Sequence, residues 1–448
     1  MKYKINSFQK ELFKALITLS IPTIIEQILS ILLQYIDTAM VGRLGEQATA
    51  AVSVTTTITW LIGSTFSAFG VGILALISRA LGSNDHLMIQ KISRQAFLIS
   101  IVSGIIIEFI CIFLSPYIPV WMGAEPAVQA DANMYFFIIS LPLIFRSINY
   151  IMGAAIRGTK DTKTPMFISI GSNIVNAVLN AILIYGFNMG VVGAAIASAI
   201  SYTFGGIFMF IAYKQNTLLN WNFKTLKPDF NILKACANIS IPVLGTSLVS
   251  SFGYIVFAGM VSSMGTTTFA AHSIAVTAET IFYTSGYGLR TATSTLIGIS
   301  LGEGNQKKFE TICSLSIIVT IVIMLTSGIL LYFIATPLMS VFTNSEQIVL
   351  IGAKMLKLVA FSEPFFGLMV VSQGIYYGLG KTHYSFIIEA FGMWGVRILF
   401  TFLCVNIWKL DLTAVWYCMI ADNTCKAILL SIPLLSNKKR QKLIKHIL

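Results

Sequence analysis

Apolar residues along this chain come in long unbroken runs, neither alternating nor confined to one helical stripe, and polar residues collect between them. Runs of roughly 20 residues are what an α-helix needs to cross the hydrocarbon of a bilayer. Twelve can be read, at 15–40, 51–80, 95–120, 133–156, 165–187 and 191–213, then at 235–263, 272–300, 311–336, 350–378, 384–408 and 412–434. Transmembrane β-strands would be about 10 residues long and strictly alternating, and the chain has no such pattern. The predicted fold is an all-α membrane protein of twelve transmembrane helices.

The runs repeat. Ser20-Ile21-Pro22 returns as Ser240-Ile241-Pro242, Met40-Val41 as Met260-Val261, and Gly45 as Gly265. Ala50-Ala51 matches Ala270-Ala271, Leu81-Gly82 matches Leu301-Gly302, and Gly153, Gly158 and Thr162 match Gly374, Gly378 and Thr382. A nearly constant offset of 220, as from Ser20 to Ser240, marks a duplicated six-span unit. Six is even, so both copies enter the membrane from the same side, and a pseudo-two-fold axis along the membrane normal is expected between two six-helix lobes. The expected partition is an N-terminal lobe over 1–213, a polar cytoplasmic linker over 214–232 with Lys224, Lys227 and Pro228, and a C-terminal lobe over 233–448 that ends in a basic tail.

Composition agrees with the pattern. Hydrophobic residues fill 56% of the 448 positions, charged residues only 11%, and the mean hydropathy is +0.81. Soluble domains carry about 25% charged residues. The net charge of +12 raises the question of nucleic acid, but the basic residues sit in alternate loops. Lys2, Lys4, Lys10 and Lys14 precede the first span, Lys91 and Arg94 follow the second, and Arg157, Lys160 and Lys163 follow the fourth. Lys214, Lys224, Lys227 and Lys234 surround the linker, Lys307 and Lys308 follow the eighth span, and Lys438, Lys439, Arg440, Lys442 and Lys445 end the chain. Arg43 and Lys409 are the exceptions in the other loops. This bias predicts a multi-pass protein of the inner (plasma) membrane with both termini cytoplasmic, and no nucleic-acid partner. The leading KYKINSFQKELFK has no cleavage signature and reads as running into the first span. The six cysteines form no CxxC pair, so neither a disulfide framework nor a cysteine metal site is expected.

Each copy serves as a control for the other. Asp37, deep in the first span, corresponds to Phe257; Asn173, Asn176 and Asn180 in the fifth correspond to Met393, Val396 and Phe400; Ser198 in the sixth corresponds to Cys418. The scaffold therefore does not demand these polar groups. Asn173, Asn176 and Asn180 lie at i, i+3 and i+7, on one helical face, and Ala194 and Ser198 at i and i+4 share another, on a small-residue helix suited to close packing. A carboxylate at bilayer depth costs about 2.5–3.5 kcal/mol. Asp37 is thus a candidate to trade a proton, or Na⁺ with amide and hydroxyl oxygens around it, against a substrate. The competing reading is that the asparagines only bond helix to helix. Gln34 and Tyr35, on the same helix as Asp37, are candidates for substrate contact together with Asn173.

Glu26 and Glu279 correspond to Thr246 and Thr59, and either line a cavity that favours cations or pair with Arg79 and Arg290. Glu363, beside Pro364, and the i,i+4 pair Asp422 and Lys426 read as structural. His272 and His383 are expected near helix ends, in contact with solvent. Gly378-Leu379-Gly380-Lys381-Thr382 imitates a phosphate loop, but Ile375 stands where its first glycine is required. No nucleophile, base or cofactor motif points to an enzyme, and any transport would draw on an ion gradient.

The segment IPTIIEQILSILLQYIDTAMVGRLG, the AVSV and RALGSND that follow, RGTKDTKTP after the fourth span and HSIAVTAETIFYTSGYGLRTATSTLIGISLGEGN together resemble the multidrug and toxic compound extrusion (MATE) family. The resemblance spans nearly the whole chain and is nearest to its DinF-like prokaryotic branch, with Glu26 and Glu279 where that branch carries acids. It implies two six-helix lobes that exchange substrate for H⁺ or Na⁺, with Asp37 at the coupling position. The family's Asn-x-x-x-Asp pair falls on Asn176 and Asn180, so an amide replaces the second acid and favours protons over Na⁺; if Na⁺ is the ion, Asp37, Asn176 and Asn180 would hold it. Ser198 keeps the hydroxyl of a position often occupied by threonine. Ser250 stands where another branch has an acid. The implied activity is cation-coupled export of small organic, lipophilic cationic compounds by a monomer in membrane lipid, with no cofactor beyond the coupling ion. A flippase of lipid-linked oligosaccharides has a related architecture, but it would need a strongly basic cavity, for which only Arg146 and Arg397 lie at depth. A channel is the remaining alternative.

Overall fold

The computed structural model describes residues 7–221 and 226–444; Lys2, Lys4, Lys224 and Lys445, counted in the charge bias, lie outside the described residues. Its described residues are helical almost throughout. Among the described residues, nine helices are each long and apolar enough to cross a membrane, and two bent pairs raise the number to eleven. The twelfth is Thr266–Gly302, a 37-residue helix whose threonines, serines, Glu279 and Arg290 lower its hydropathy. In chain order the spans are Ser7–Gly42, Glu46–Gly82, His86–Leu114, Pro126–Gly158, Lys163–Gly186 and Gly190–Gln215, then Phe230–Ser262, Thr266–Gly302, Gln306–Phe342, Glu346–Gly378, Thr382–Ile407 and Leu412–Leu435. They are called spans 1 to 12 below. The protein is an all-α membrane protein with six spans from each half.

The duplication is visible in the local geometry. Gly45 and Gly265 precede spans 2 and 8 with φ of 109° and 108°, a backbone that side-chain-bearing residues rarely adopt. Asp85 and Asn305, again 220 apart, each cap the next helix, accepting from the backbone N–H of Met88 and Lys308 at 2.9 Å. Spans 4 and 10 both break, by 51° and 55°. Pro142 lies at the first break and Pro364 is the second residue of the helix that follows the second, positions where the missing backbone donor of proline is tolerated or interrupts the preceding turn. Spans 5 and 11 both pass into wide π-turns, at Ala181–Gly186 and Phe391–Ile398.

Contacts divide the chain into two compact units, Leu29–Ile241 and Met1–Ile28 with Pro242–Leu448. The cuts fall inside spans 1 and 7, just past Pro22 and at Pro242, and not in the polar linker where the sequence-based partition put them. In the unit containing the C-terminus, Leu12, Leu16 and Leu19 of span 1 share a core with Leu289, Phe309, Ile375 and Leu430. Thr23 Oγ1 donates to the Gly288 carbonyl at 3.0 Å, and a Cβ on Gly288 would lie 2.7 Å from the backbone nitrogen of Ile24. In the other unit, Ile232 and Cys236 of span 7 share a core with Ile73, Ile77, Met152 and Met209, and Gly72 leaves room for Ser240 and Cys236. Each unit is thus completed by the opening turns of the other repeat's first helix. The linker is held on span 3: Ser93 Oγ donates to the Leu219 carbonyl at 2.6 Å, and the Gln95 amide donates to the Lys227 carbonyl at 2.9 Å while accepting from the Asp229 N–H at 3.1 Å.

Gly288→Ala should lower the apparent unfolding midpoint of the detergent-extracted protein, because spans 1 and 8 must separate to admit the methyl. Such overpacking costs about 1–3 kcal/mol. An unchanged midpoint would show that the segment before Ile28 does not hold span 8 as described.

Candidate functional site

The polar residues singled out in spans 1, 5 and 6 meet within the unit Leu29–Ile241. Asn180, wholly buried, donates through Nδ2 to Asp37 Oδ1 and, more weakly at 3.3 Å, to Asn176 Oδ1. Asn176 Nδ2 donates to Ser198 Oγ at 3.2 Å. The result is a chain of side chains from carboxylate to hydroxyl, Asp37–Asn180–Asn176–Ser198, drawn from three spans. Asp37 is half-buried, whereas Asn180 Oδ1 is buried without a hydrogen-bond partner among the described residues. An unpaired buried amide oxygen is costly, and it lies on a side chain whose amino group already holds the carboxylate.

Local sequence explains the arrangement. Asn176 and Asn180 are one turn apart, so their side chains stack along one face, and the π-turn begins at Ala181, directly after Asn180. Such wide turns occur frequently at functional sites. Asn173 lies off the chain and donates to Ser30 Oγ at 3.2 Å. Ala194 is packed in the unit's core with Ile184, Val191 and Ala195 and brings only a small side chain. Gln34 is exposed on span 1, and Tyr35 beside it is half-buried.

Glu26 and Glu279 are both buried and belong to the other unit. The substrate-contact set read from the sequence is therefore split, with Gln34, Tyr35 and Asn173 in one unit and these two acids in the other. The Arg290 guanidinium lies over the rings of Tyr287 and Tyr377, at 4.7 and 5.6 Å. Glu363 is buried with neither carboxylate oxygen hydrogen-bonded among the described residues. His272 corrects an expectation: it is buried against Phe257 and Trp416, with ring centroids at 5.6 and 5.8 Å. Span 8 starts at Thr266, so His272 sits more than a turn inside it.

Asp422 and Lys426 do pair, Nζ to Oδ2 at 3.0 Å, but within a larger buried network that the sequence reading missed. Arg397 Nε bonds Asp422 Oδ2 at 2.9 Å, and Lys426 Nζ bonds Glu389 Oε1 at 2.7 Å. Arg397, 2% exposed and engaged with Asp422 and Asn423, is therefore not free to bind a phosphate, and the basic cavity that a lipid-linked flippase needs loses one of its two candidates.

The MatE family model matches residues 22–182 and 242–403, once in each half. A relative named "Probable multidrug resistance protein NorM" in Thermotoga maritima is 25% identical over 439 residues, covering 97% of this chain and 94% of that one. A solved MOP superfamily transporter from Pyrococcus furiosus, whose reverse pocket polarity is described as suggesting a different function, superposes with a TM-score of 0.91 at 23% identity, covering 98% of this chain and 99% of that one. A second solved structure, the outward-facing conformation of a multidrug resistance MATE family transporter, also gives 0.91 at 22% identity, with 98% and 99% covered.

Proposed function

The chain belongs to the MatE family, and from that premise we propose that it is a cation-coupled antiporter exporting small organic, lipophilic cationic compounds by alternating access, with H⁺ as the coupling ion and Asp37 as its site. It acts as a single chain in the inner membrane with both termini cytoplasmic. The observation that carries this reading is the Asp37–Asn180–Asn176–Ser198 chain, a lone half-buried carboxylate tied to amides and a hydroxyl that the other repeat lacks. The NorM relative's name supports export, and an outward-facing neighbour supports a fold that occupies more than one state.

The chemistry follows from one carboxylate serving two cations. With Asp37 ionised, a cationic compound is favoured in its neighbourhood. Arrival of a proton from outside neutralises Asp37, removes that attraction and biases the protein toward its other state. A ligand shifts such an equilibrium only through its different affinity for the two states. In one-for-one exchange of a proton for a monovalent cation no net charge crosses, so the drive is the pH gradient, about 1.4 kcal/mol per pH unit. The second amide, Asn180, supports protons over Na⁺, because Na⁺ would have to rely on a single formal negative charge with neutral oxygens from Asn176, Asn180 and Ser198.

Efflux from proteoliposomes under a pH gradient alone or a Na⁺ gradient alone tests this. Export of a lipophilic cation should follow the pH gradient; export driven by Na⁺ alone would overturn the choice of ion, and a current without counter-transport would favour a channel. Asn180→Asp restores a second acid and should confer Na⁺-stimulated export or Na⁺ inhibition of H⁺-driven export, read in the same assay.

A further inference from the structure

The strongest feature outside the Asp37 chain is the buried network in the unit that contains the C-terminus. Lys426 is 2% exposed, and its ammonium rests 2.7 Å from Glu389 Oε1 and 3.0 Å from Asp422 Oδ2. Glu389 also accepts from Ser250 Oγ at 2.8 Å and from Gln373 Nε2 at 3.4 Å. Spans 7, 10, 11 and 12 thus all send oxygen-bearing side chains to one ammonium or its carboxylates. Arg397 binds the same Asp422 oxygen, Oδ2, at 2.9 Å, so two acids and two bases balance. One detail exceeds what a closed structural ion network requires: Asp422 Oδ1 is wholly buried with no hydrogen-bond partner among the described residues. Gly392, in the wide turn of span 11, lets Asp422 and Lys426 pack directly against its backbone, where an added Cβ would collide with Asp422 Oδ1 and the Lys426 Cε. The other repeat has Ser169, Ala177, Tyr202 and Gly206 where these charges stand, so the scaffold does not require them.

We propose that this cluster is a cation site of the C-terminal unit, lined by Glu389, Asp422 and Ser250, whose occupant is the chain's own Lys426 ammonium in place of a free alkali cation. The tethered ammonium supplies the charge that a bound ion would supply, and the unit stays neutral and closed whatever ion is outside. Exchangeable cations are then left with Asp37, a consequence that rests on the function proposed above; the site itself does not. Removing the ammonium while keeping its methylene stem leaves two carboxylates against one guanidinium, with Asp422 Oδ2 and Glu389 Oε1 beside the vacated position and the Ser250 hydroxyl bonded to Glu389 Oε1. That is an oxygen-rich set of the kind hard cations take, with a net negative charge.

The test uses the full chain in detergent, in three forms: Asp37→Asn, Asp37→Asn with Lys426→Met, and the latter with Glu389→Gln added. The apparent unfolding midpoint is followed as choline chloride is replaced by NaCl or LiCl at constant ionic strength. The form with Lys426→Met should be destabilised in choline and rise in midpoint with Na⁺ or Li⁺, whereas the other two should not respond. No alkali-specific rise with Lys426→Met, or an equal rise in all three, overturns the proposal. If the Lys426→Met form is recovered only when extracted in NaCl, the proposal stands; if it is recovered in neither salt, Na⁺ cannot replace the ammonium and the proposal fails. Every form carries Asp37→Asn and none is assayed for transport, so the result is separate from whether Asp37 couples an ion.

Discussion

Asp37→Asn is expected to abolish gradient-driven efflux while leaving expression, membrane insertion and the unfolding midpoint close to those of the unsubstituted chain. The substitution is nearly isosteric, and the Asn180 amino group still finds an oxygen at position 37, so the Asn180–Asn176–Ser198 alignment survives. What disappears is a group able to alternate between charged and neutral. With a permanent amide there, no ion arriving from outside changes the balance between states, and a proton gradient, worth about 1.4 kcal/mol per pH unit, has nothing to act on. One pH unit corresponds to about a tenfold accumulation ratio in one-for-one exchange, so the loss should be large in any assay that reads uphill export. Asp37→Glu keeps the charge but moves it by a methylene and should retain part of the activity. Wild-type efflux in Asp37→Asn would sink the coupling role; loss of efflux together with loss of folded protein would place Asp37 in the scaffold.

The reason that site was legible lies in its spacing and in the repeat. Asn176 and Asn180 share a helical face by periodicity alone, and the comparison with Val396 and Phe400 separates them from what the scaffold needs. The spans were legible because lipid tolerates no other composition over that length; only Thr266–Gly302 falls short, since its polar side chains are buried within its unit. The boundaries of the two units were not legible. They depend on Thr23 reaching the Gly288 carbonyl and on Gly72 receiving Ser240, tertiary contacts with no local pattern. The same limit hid the network around Lys426. Its i,i+4 partner Asp422 could be read from one helix, but Glu389 lies 37 residues away on another span. A signal did exist there: Glu389 stands opposite Ser169 in the other repeat, the same contrast that picked out Asp37.

Asp422→Ala is expected to do the reverse of Asp37→Asn and destroy the fold rather than the transport step. Asp422 is wholly buried and stands between Arg397 at 2.9 Å and Lys426 at 3.0 Å. Its removal leaves two buried cations facing Glu389 alone, with the Arg397 guanidinium losing its carboxylate outright. Breaking a buried pair by deleting one partner costs about 3–5 kcal/mol, because the remaining charge is stranded away from water. The expected readout is a sharp fall in monodisperse protein after extraction and a large drop in the unfolding midpoint of what remains. Asp422→Ala combined with Arg397→Met restores the charge balance and should recover part of the midpoint, so the two effects will be less than additive. Asp37, half-buried and held by one neutral amide, strands nothing when it is neutralised. If Asp422→Ala proved as stable as Asp37→Asn, the network would not be holding spans 11 and 12 together. If the double substitution were worse than the single one, charge balance would not be the reason it does.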